Sequence, residues 1–477
     1  MDQRNAPLYE AMQNHLKNTS YSFHVPGHKN GTIIPTELHA FNEMLAYDLT
    51  ELKGLDDLHE PEGPILQAQQ LAAQYYGADE TYFLVNGTTS GNLAMILSVC
   101  EADDLVLVQR NSHKSIMHAL DLVGAKPILI SPKYNQDVQR YTDISFETVK
   151  QALEEEPNIK AIILTYPDYF GTTYDLSSVV EVTHQFNVPV LVDEAHGAHF
   201  SFEFPYPKSA LQCGADLVVQ SAHKSLPALT MGSFLHINSK RVKKERLAYY
   251  LQVVQSSSPS YLIMMSLDLA RRYIANYSKK EQTELYDEIQ HFNESINQLP
   301  LIDVLPTREG IDDPLKTVIT SLYLNMDHVL DILHKQGIHV EMVDHNQLLM
   351  IHGIEVNKEL RHKQSQVIVD CIKGLEKYRE HDKIVNNDLF INELRRFPYS
   401  YYELKQKKSE WVRWEKAIGR VAAESIIPYP PGIPIVLNGE PITKHAVNTI
   451  KQAMEKQSHI QKQSKRLDQG VKVYINY

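Results

Sequence analysis

Between Gly63 and Ile237 the chain alternates short runs of branched apolar residues with longer stretches in which apolar positions recur at helical spacing. The runs TYFLVNG, DLVLVQR, KPILISP, KAIILTYP, VPVLVDEA, DLVVQSA and GSFLHIN predict strands, each rich in Val, Ile and Leu. Segments between them, such as TTSGNLAMILSVC and LSSVVEVTHQFN, are long enough to cross back as helices. This alternation predicts an α/β layer structure around a mainly parallel sheet, because strands covered on both faces read as continuous apolar runs. Functional groups are then expected at the carboxyl ends of the strands.

The flanking regions have a different texture. Residues 1–62 begin with an amphipathic helix pattern in MDQRNAPLYEAMQNHLKNTS and continue with Gly, Pro, His and acidic residues in HVPGHKNG and ELKGLDDLHEPEG. Their periodic apolar content is too small for a separate core, so this arm is expected to lie across the large domain or a partner subunit. After Arg241 longer helical patterns take over, with KTVITSLYLNM, HVEMVD and NQLLMIHGI as strand candidates and a polar, basic helix near Lys451 to Arg466. The organisation expected is an N-terminal arm over 1–62, a large domain over 63–270 and a smaller C-terminal α+β domain over 271–477. A length of 477 residues fits that division at roughly 150 residues per domain.

Composition narrows the partners. An apolar fraction of 43% supports a large buried core, and a formal net charge of −12 opposes nucleic acid and anionic membranes while favouring cations. Cys100, Cys213 and Cys371 are scattered and lack metal or disulfide spacing, which fits a reducing, cytoplasmic setting. No apolar run approaches the roughly 18 residues of a membrane span.

Three clusters could carry chemistry. Asn86-Gly87-Thr88-Thr89-Ser90-Gly91-Asn92 follows a strand and opens a helix, so its hydroxyls and free N–H groups suit a phosphate monoester, although a simple helix cap has the same signature. The strand VPVLV ends in Asp193-Glu194-Ala195-His196-Gly197-Ala198-His199. The acid pair also occurs in helicase-type ATPases, but those need a Gly-Lys phosphate loop and this chain has no Gly-Lys pair. His196 and His199 lack an identifiable third metal ligand, and no metal is expected. The third cluster, Ser221-Ala222-His223-Lys224-Ser225, places a lysine just past an apolar strand, where a buried amine becomes a candidate for imine formation. A phosphate cup, a carboxylate and a lysine at the ends of different strands are the grips that pyridoxal 5′-phosphate requires. His113, in Arg110-Asn111-Ser112-His113-Lys114-Ser115 after another strand, is placed to stack on its ring.

With these clusters in order, the chain resembles the Orn/Lys/Arg decarboxylase family of fold-type-I pyridoxal phosphate enzymes, particularly its short Bacillus-type members. The segments that carry the resemblance are FHVPGHKNG, DLTELKGLDDLHEPEGPI, FLVNGTTSGN, RNSHKS, TYPDYFGTTYDL, VDEAHGAH, SAHKSLPALT and PYPPGIPIVLNGE. It implies an aspartate aminotransferase-like large domain, a homodimer or higher homo-oligomer, and decarboxylation of a basic amino acid in polyamine-related metabolism. It also implies that Lys224 holds the cofactor's aldehyde, Asp193 pairs with the pyridine nitrogen, and Thr89, Ser90, Ser221 and His223 surround the phosphate. His113 is then the stacking group, and His196 approaches the cofactor. Arginine is favoured over lysine or ornithine because the short members are commonly arginine decarboxylases. The family's usual Pro-Gly-Glu is Asn438-Gly439-Glu440 in this chain.

The acids Glu51, Asp56, Asp57, Glu60 and Glu62 are the reservoir for the substrate's distal cation, each with a solvated loop role as its alternative. The rival activities are an aminotransferase, with Arg395 or Arg396 on the substrate carboxylate, or an α-oxoamine synthase. A non-catalytic protein that binds pyridoxal phosphate or a polyamine is the alternative from outside enzymology.

Overall fold

The computed structural model describes residues 1–19, 21–344, 346–375, 394–428, 434–455, 460–461 and 467–475. In chain order β1 is Glu80–Leu84, β2 Leu105–Gln109, β3 Lys126–Ile130, β4 Lys133–Asn135, β5 Arg140–Asp143, β6 Ile159–Thr165, β7 Val190–Asp193, β8 Leu217–Gln220 and β9 Ser233–Ile237. Each apolar run singled out in the sequence forms one of these strands; β4 and β5 form an additional antiparallel pair. Beyond them lie β10 Asp303–Val304, β11 Lys316–Thr320, β12 Met342–Asp344, β13 Gln347–Ile351 and β14 Leu394–Arg396.

The chain divides into two compact units. The first comprises residues 1–99, 187–201 and 208–278. Its strands run in the order β1-β9-β8-β7, with β7 and β8 parallel and β9 antiparallel to both β8 and β1. The connection from β8 to β9, residues 221–232, holds only one short helix, Ala222–Ser225, and returns the chain antiparallel. Helix Gly87–Val99 packs on this group so closely that a Cβ at Gly91 would lie 2.4 Å from Val219 Cγ2. Helix Pro64–Tyr76 starts with proline and stops at Gly77, whose φ of +73° supplies the left-handed cap. The N-terminal helix, Pro7–Asn18, buries Leu8 and Met12 and contacts helices Pro64–Tyr76 and Tyr261–Ala275. It is tied there by Asp268, which accepts from Leu8 N, and by Arg271, which donates to the carbonyls of Gln3 and Asn5.

The second unit comprises 100–186, 202–207 and 279–477. Its first strands run β6-β2-β3-β14, parallel across β6, β2 and β3 and antiparallel at β14. A separate antiparallel sheet, β10-β11-β13-β12, shares a core with helices Lys279–Asn297, Met326–Lys335 and Lys358–Ile372. A further core gathers around Trp414, between the paired strands Ser409–Arg413 and Gly470–Tyr474 and helix Lys444–Glu455. That helix is the first part of the basic segment expected near Lys451 to Arg466; residues 456–459 and 462–466 lie outside the described residues, as do 429–433 of PYPPGIPIVLNGE.

Candidate active site

In the first unit, β7 and β8 both end in chemistry. Asp193 is the last residue of β7, and its buried carboxylate accepts from Asn92 Nδ2 at 2.9 Å and from Ala195 N at 3.2 Å. Asn92 lies on helix Gly87–Val99, so the helix that covers the sheet also orients the acid. Past β8, Ser221 opens the short helix that carries His223 and Lys224. Lys224 Nζ lies 3.0 Å from the Nε2 atom of His196, which stands in the turn after β7.

The phosphate-cup candidates meet in the same unit. Thr88 Oγ1 and Ser221 Oγ are 3.1 Å apart, and Gly87, with φ of +74°, starts the helix beside them. One turn before β9 pins both segments: Gly87 N donates to Met231 O, while His223 N and Nδ1 reach Gly232 O at 3.2 and 3.0 Å. Burial, with a smaller contribution from the Lys224 charge, holds His223 below the ordinary imidazole value. Thr89 is exposed at the helix start, whereas the Ser90 hydroxyl turns inward and donates to Gly87 O. Thr88, read in the sequence only as part of the turn, is the hydroxyl that meets Ser221.

Behind this arrangement lies a polar chain that the sequence did not suggest. Glu194 is fully buried, and its carboxyl accepts from Ala210 N and Gln220 Nε2, both at 2.6 Å. Gln220 Oε1 is 3.0 Å from His236 Nε2, and His236 Nδ1 is 2.8 Å from Thr81 Oγ1. Burial pushes Glu194 up to about 8 against the pull of its two donors, and holds His236 down at about 3.

His113 belongs to the second unit, where it caps helix Lys114–Val123 just after β2; its Nδ1 accepts from Ser115 N and is 2.8 Å from Ser115 Oγ. In that unit Glu440 is buried and takes Arg110 Nη2 at 2.9 Å and Arg395 Nη1 at 2.5 Å, while Arg396 pairs with Glu155 and Glu156. Both arginines considered for an aminotransferase therefore serve ion pairs. Among the loop acids, Asp56 accepts from the backbone N–H groups of Glu62, Gly63, Ile65 and Leu66 and so anchors the start of helix Pro64–Tyr76. Asp57 accepts from His59 N.

The arrangement offers an amine at hydrogen-bond distance from an imidazole, a carboxylate held by two donors, and hydroxyls beside a helix N-terminus. The chain matches the family described as Orn/Lys/Arg decarboxylase, major domain, over residues 6–321, and its C-terminal domain over residues 393–462. It belongs to the Orn/Lys/Arg decarboxylase family. It is 43% identical over 477 residues to the uncharacterised protein YaaO of Bacillus subtilis, with 99% of each chain covered, and 34% identical over 460 residues to that organism's arginine decarboxylase, with 94% of each covered. The structure superposes on the constitutive lysine decarboxylase of Escherichia coli with a TM-score of 0.78 at 20% identity, over 99% of this chain and 82% of that one. The fold is that of the fold-type-I pyridoxal phosphate enzymes, as the sequence resemblance implied. Among the described residues no helix is long and apolar enough to cross a membrane.

Proposed function

We propose that the protein is a pyridoxal phosphate-dependent decarboxylase that converts a basic amino acid, arginine by preference and then lysine or ornithine, to its amine and carbon dioxide. The observation that carries the proposal is the convergence of Lys224, His196 and Asp193 at the ends of two neighbouring parallel strands, beside the Thr88 and Ser221 hydroxyls. The donor set fits the cofactor: hydroxyls and helix N–H groups for the phosphate, a buried acid for the pyridine nitrogen and an amine for the aldehyde. When bound, the cofactor supplies an electron sink for the carbon that loses its carboxylate.

The chain's own residues do the rest. Asp193, fixed by Asn92 and Ala195, holds a proton on the pyridine nitrogen. Lys224 would hold the cofactor through its aldehyde, and its amine would return a proton to the reacting carbon. His196 Nε2, at 3.0 Å from Lys224 Nζ, accepts its N–H and orients the amine. Thr88, Thr89, Ser90, Ser221 and His223 are assigned to the phosphate, and His113 to the face of the ring. The arm exposes Tyr21, Phe23, Val25 and Ile33, a surface suited to a second copy of the chain in a homodimer. The preference for arginine is supported by the 34% identity to the Bacillus subtilis arginine decarboxylase, and the net charge of −12 suits a cationic substrate in a cytoplasmic, polyamine-related role.

The test is to assay carbon dioxide and amine release from arginine, lysine and ornithine with wild type and Lys224→Ala. Wild type is expected to release both, fastest from arginine, and Lys224→Ala to lose turnover and the borohydride-fixable cofactor. Keto acid without carbon dioxide from wild type, or an active, cofactor-linked Lys224→Ala, refutes the assignment.

A further inference from the structure

Asp193 and Glu194 are neighbours in sequence but serve opposite faces of their sheet. Asp193 turns to helix Gly87–Val99, the face on which Gly91 meets Val219. Glu194 turns to the face of Gln220 and His236, which Tyr76 covers with ring centroids 4.7 Å from His236. Side-chain alternation along β7 and β8 makes this division unavoidable.

The Glu194 side chain spans two elements: Ala210 N on one carboxyl oxygen and Gln220 Nε2 on the other. Its backbone is held as well, with Glu194 N donating to Val219 O at 2.9 Å and Glu194 O accepting from Gly197 N at 3.0 Å. Gly197 closes over it: a Cβ there would stand 2.6 Å from Glu194 Cγ, so the turn admits no larger residue. The turn clamped in this way, Asp193 to Gly197, carries both Asp193 and His196.

We propose that Glu194 is a positioning residue of the active site: by bridging Ala210 N and Gln220 beneath the sheet, it fixes the turn that sets the Asp193 carboxylate and the approach of His196 Nε2 to Lys224 Nζ. This rests on the reading of Lys224 and Asp193 as the cofactor's anchors. Reach, not charge, is what the bridge requires. With the carboxylate ionised, Gln220 donates to it, His236 Nε2–H donates to Gln220 Oε1 and the Thr81 hydroxyl donates to His236 Nδ1. With the carboxyl protonated, its O–H donates to Gln220 Oε1, the amide turns over, and His236 changes tautomer, so that the links from Glu194 through Gln220 and His236 to Thr81 are kept in the opposite sense and only the long 3.5 Å contact from Gln220 Nε2 to Gly197 O is given up. A glutamine at 194 reproduces the second state. An aspartate keeps the charge but is one methylene too short to hold both partners.

The experiment compares Glu194→Gln with Glu194→Asp in the full-length protein, reading the dissociation constant for pyridoxal 5′-phosphate and the pH midpoint of the bound cofactor's visible band. Glu194→Gln is expected to stay within about twofold of wild type, and Glu194→Asp to bind the cofactor at least about fivefold more weakly with a displaced midpoint, the size of one lost buried hydrogen bond. The opposite order, with aspartate sound and glutamine impaired, overturns the proposal in favour of a charge effect, and so does wild-type behaviour of both. If Glu194→Asp gives no folded protein, Gln220→Leu takes its place with the same expected weakening and the same refuting result. Lys224→Ala separates the two levels: if it still fixes the cofactor with borohydride, the anchor assignment falls. If it loses the linkage while the Glu194 variants change nothing, only the positioning role falls.

Discussion

Glu440 holds two guanidinium groups in the second unit, and removing it gives a sharp test of what docks the C-terminal core. Its carboxylate takes Arg110 Nη2 at 2.9 Å, Arg395 Nη1 at 2.5 Å and Leu437 N at 3.0 Å, with side-chain exposures of 2% for Glu440 and 4% for Arg110. Arg110 also donates to the carbonyls of Pro434 and Ile435, so the pair ties the end of β2 to segment 434–440. In Glu440→Ala the Arg110 charge stays buried without its carboxylate partner. Breaking a buried pair in this way costs about 3–5 kcal/mol. Arg395, 27% exposed, is open to water, and Arg395→Ala is expected to cost only about 1 kcal/mol.

The assay is urea unfolding followed by two signals. The chain's two tryptophans are Trp411 and Trp414, and Trp414 is buried in the core that also contains Val436 and Ile442, so fluorescence reports on that core while circular dichroism reports on the whole chain. Glu440→Ala should move the fluorescence midpoint strongly and the dichroism midpoint less. A double replacement, Arg110→Met with Glu440→Leu, removes both charges and should recover most of the loss. If Glu440→Ala shifts the fluorescence transition by less than about 1 kcal/mol, the reasoning that this pair docks the segment is wrong.

Two further outcomes follow from the first unit. Glu194 is raised to about 8, so the folded state holds a proton that the unfolded chain releases above the ordinary carboxyl range. Its contribution is full below that range and is lost as pH rises through about 8, while His236, held at about 3, loses its contribution as pH falls below the ordinary imidazole value. Thermal melting across pH should show wild type declining between about pH 6.5 and 8 and Glu194→Gln declining less; equal slopes would contradict the burial argument. Gly91→Ala sets a Cβ 2.4 Å from Val219 and 2.7 Å from Leu84 Cδ1, so helix Gly87–Val99 must shift. A loss of about 1–3 kcal/mol together with weakened cofactor binding is expected, because Asn92 moves with the helix; unchanged stability by urea titration would show that the contact relaxes freely.

Much of this was legible in the sequence because it depends on local pattern. The apolar runs became strands because each is short, rich in branched residues and bounded by turn formers, and Asp193, Ser221 and Lys224 fell at strand ends because α/β connections put polar residues there. Antiparallel β9 was not legible: its direction is set by how the short 221–232 connection folds back, not by its own residues. Asn92 was quoted as part of a turn, yet it acts from the first turns of a helix on a strand-end acid, a contact across 101 positions. Glu194 gave the opposite difficulty. Its sequence setting, beside Asp193 in an acid pair, assigned it no role, and only the fold shows that its partners, Gln220 and His236, are reached from the other face of the sheet. Asp56 likewise looked like an acid for a cationic substrate until the structure showed its oxygens facing backbone N–H groups.

The two adjacent acids also act as a registration key for β7. Paired in its native alignment, β7 sets Asp193 opposite Val219, and the next residue meets Gln220's side of the sheet. Slipped one residue either way, the strand would bring Val192 to Asp193's place and Asp193 to Glu194's, or Glu194 to Asp193's place and Ala195 to Glu194's, leaving the Gln220 amide facing a side chain too short to reach it. The apolar residues Val190, Leu191 and Val192 are nearly interchangeable in such a slip and discriminate little between alignments. A misaligned sheet is thus penalised by the same pair of residues that equips the aligned one, and variants at Glu194 too short to reach Gln220 should be sought among mispaired, aggregation-prone folding products as well as among impaired enzymes.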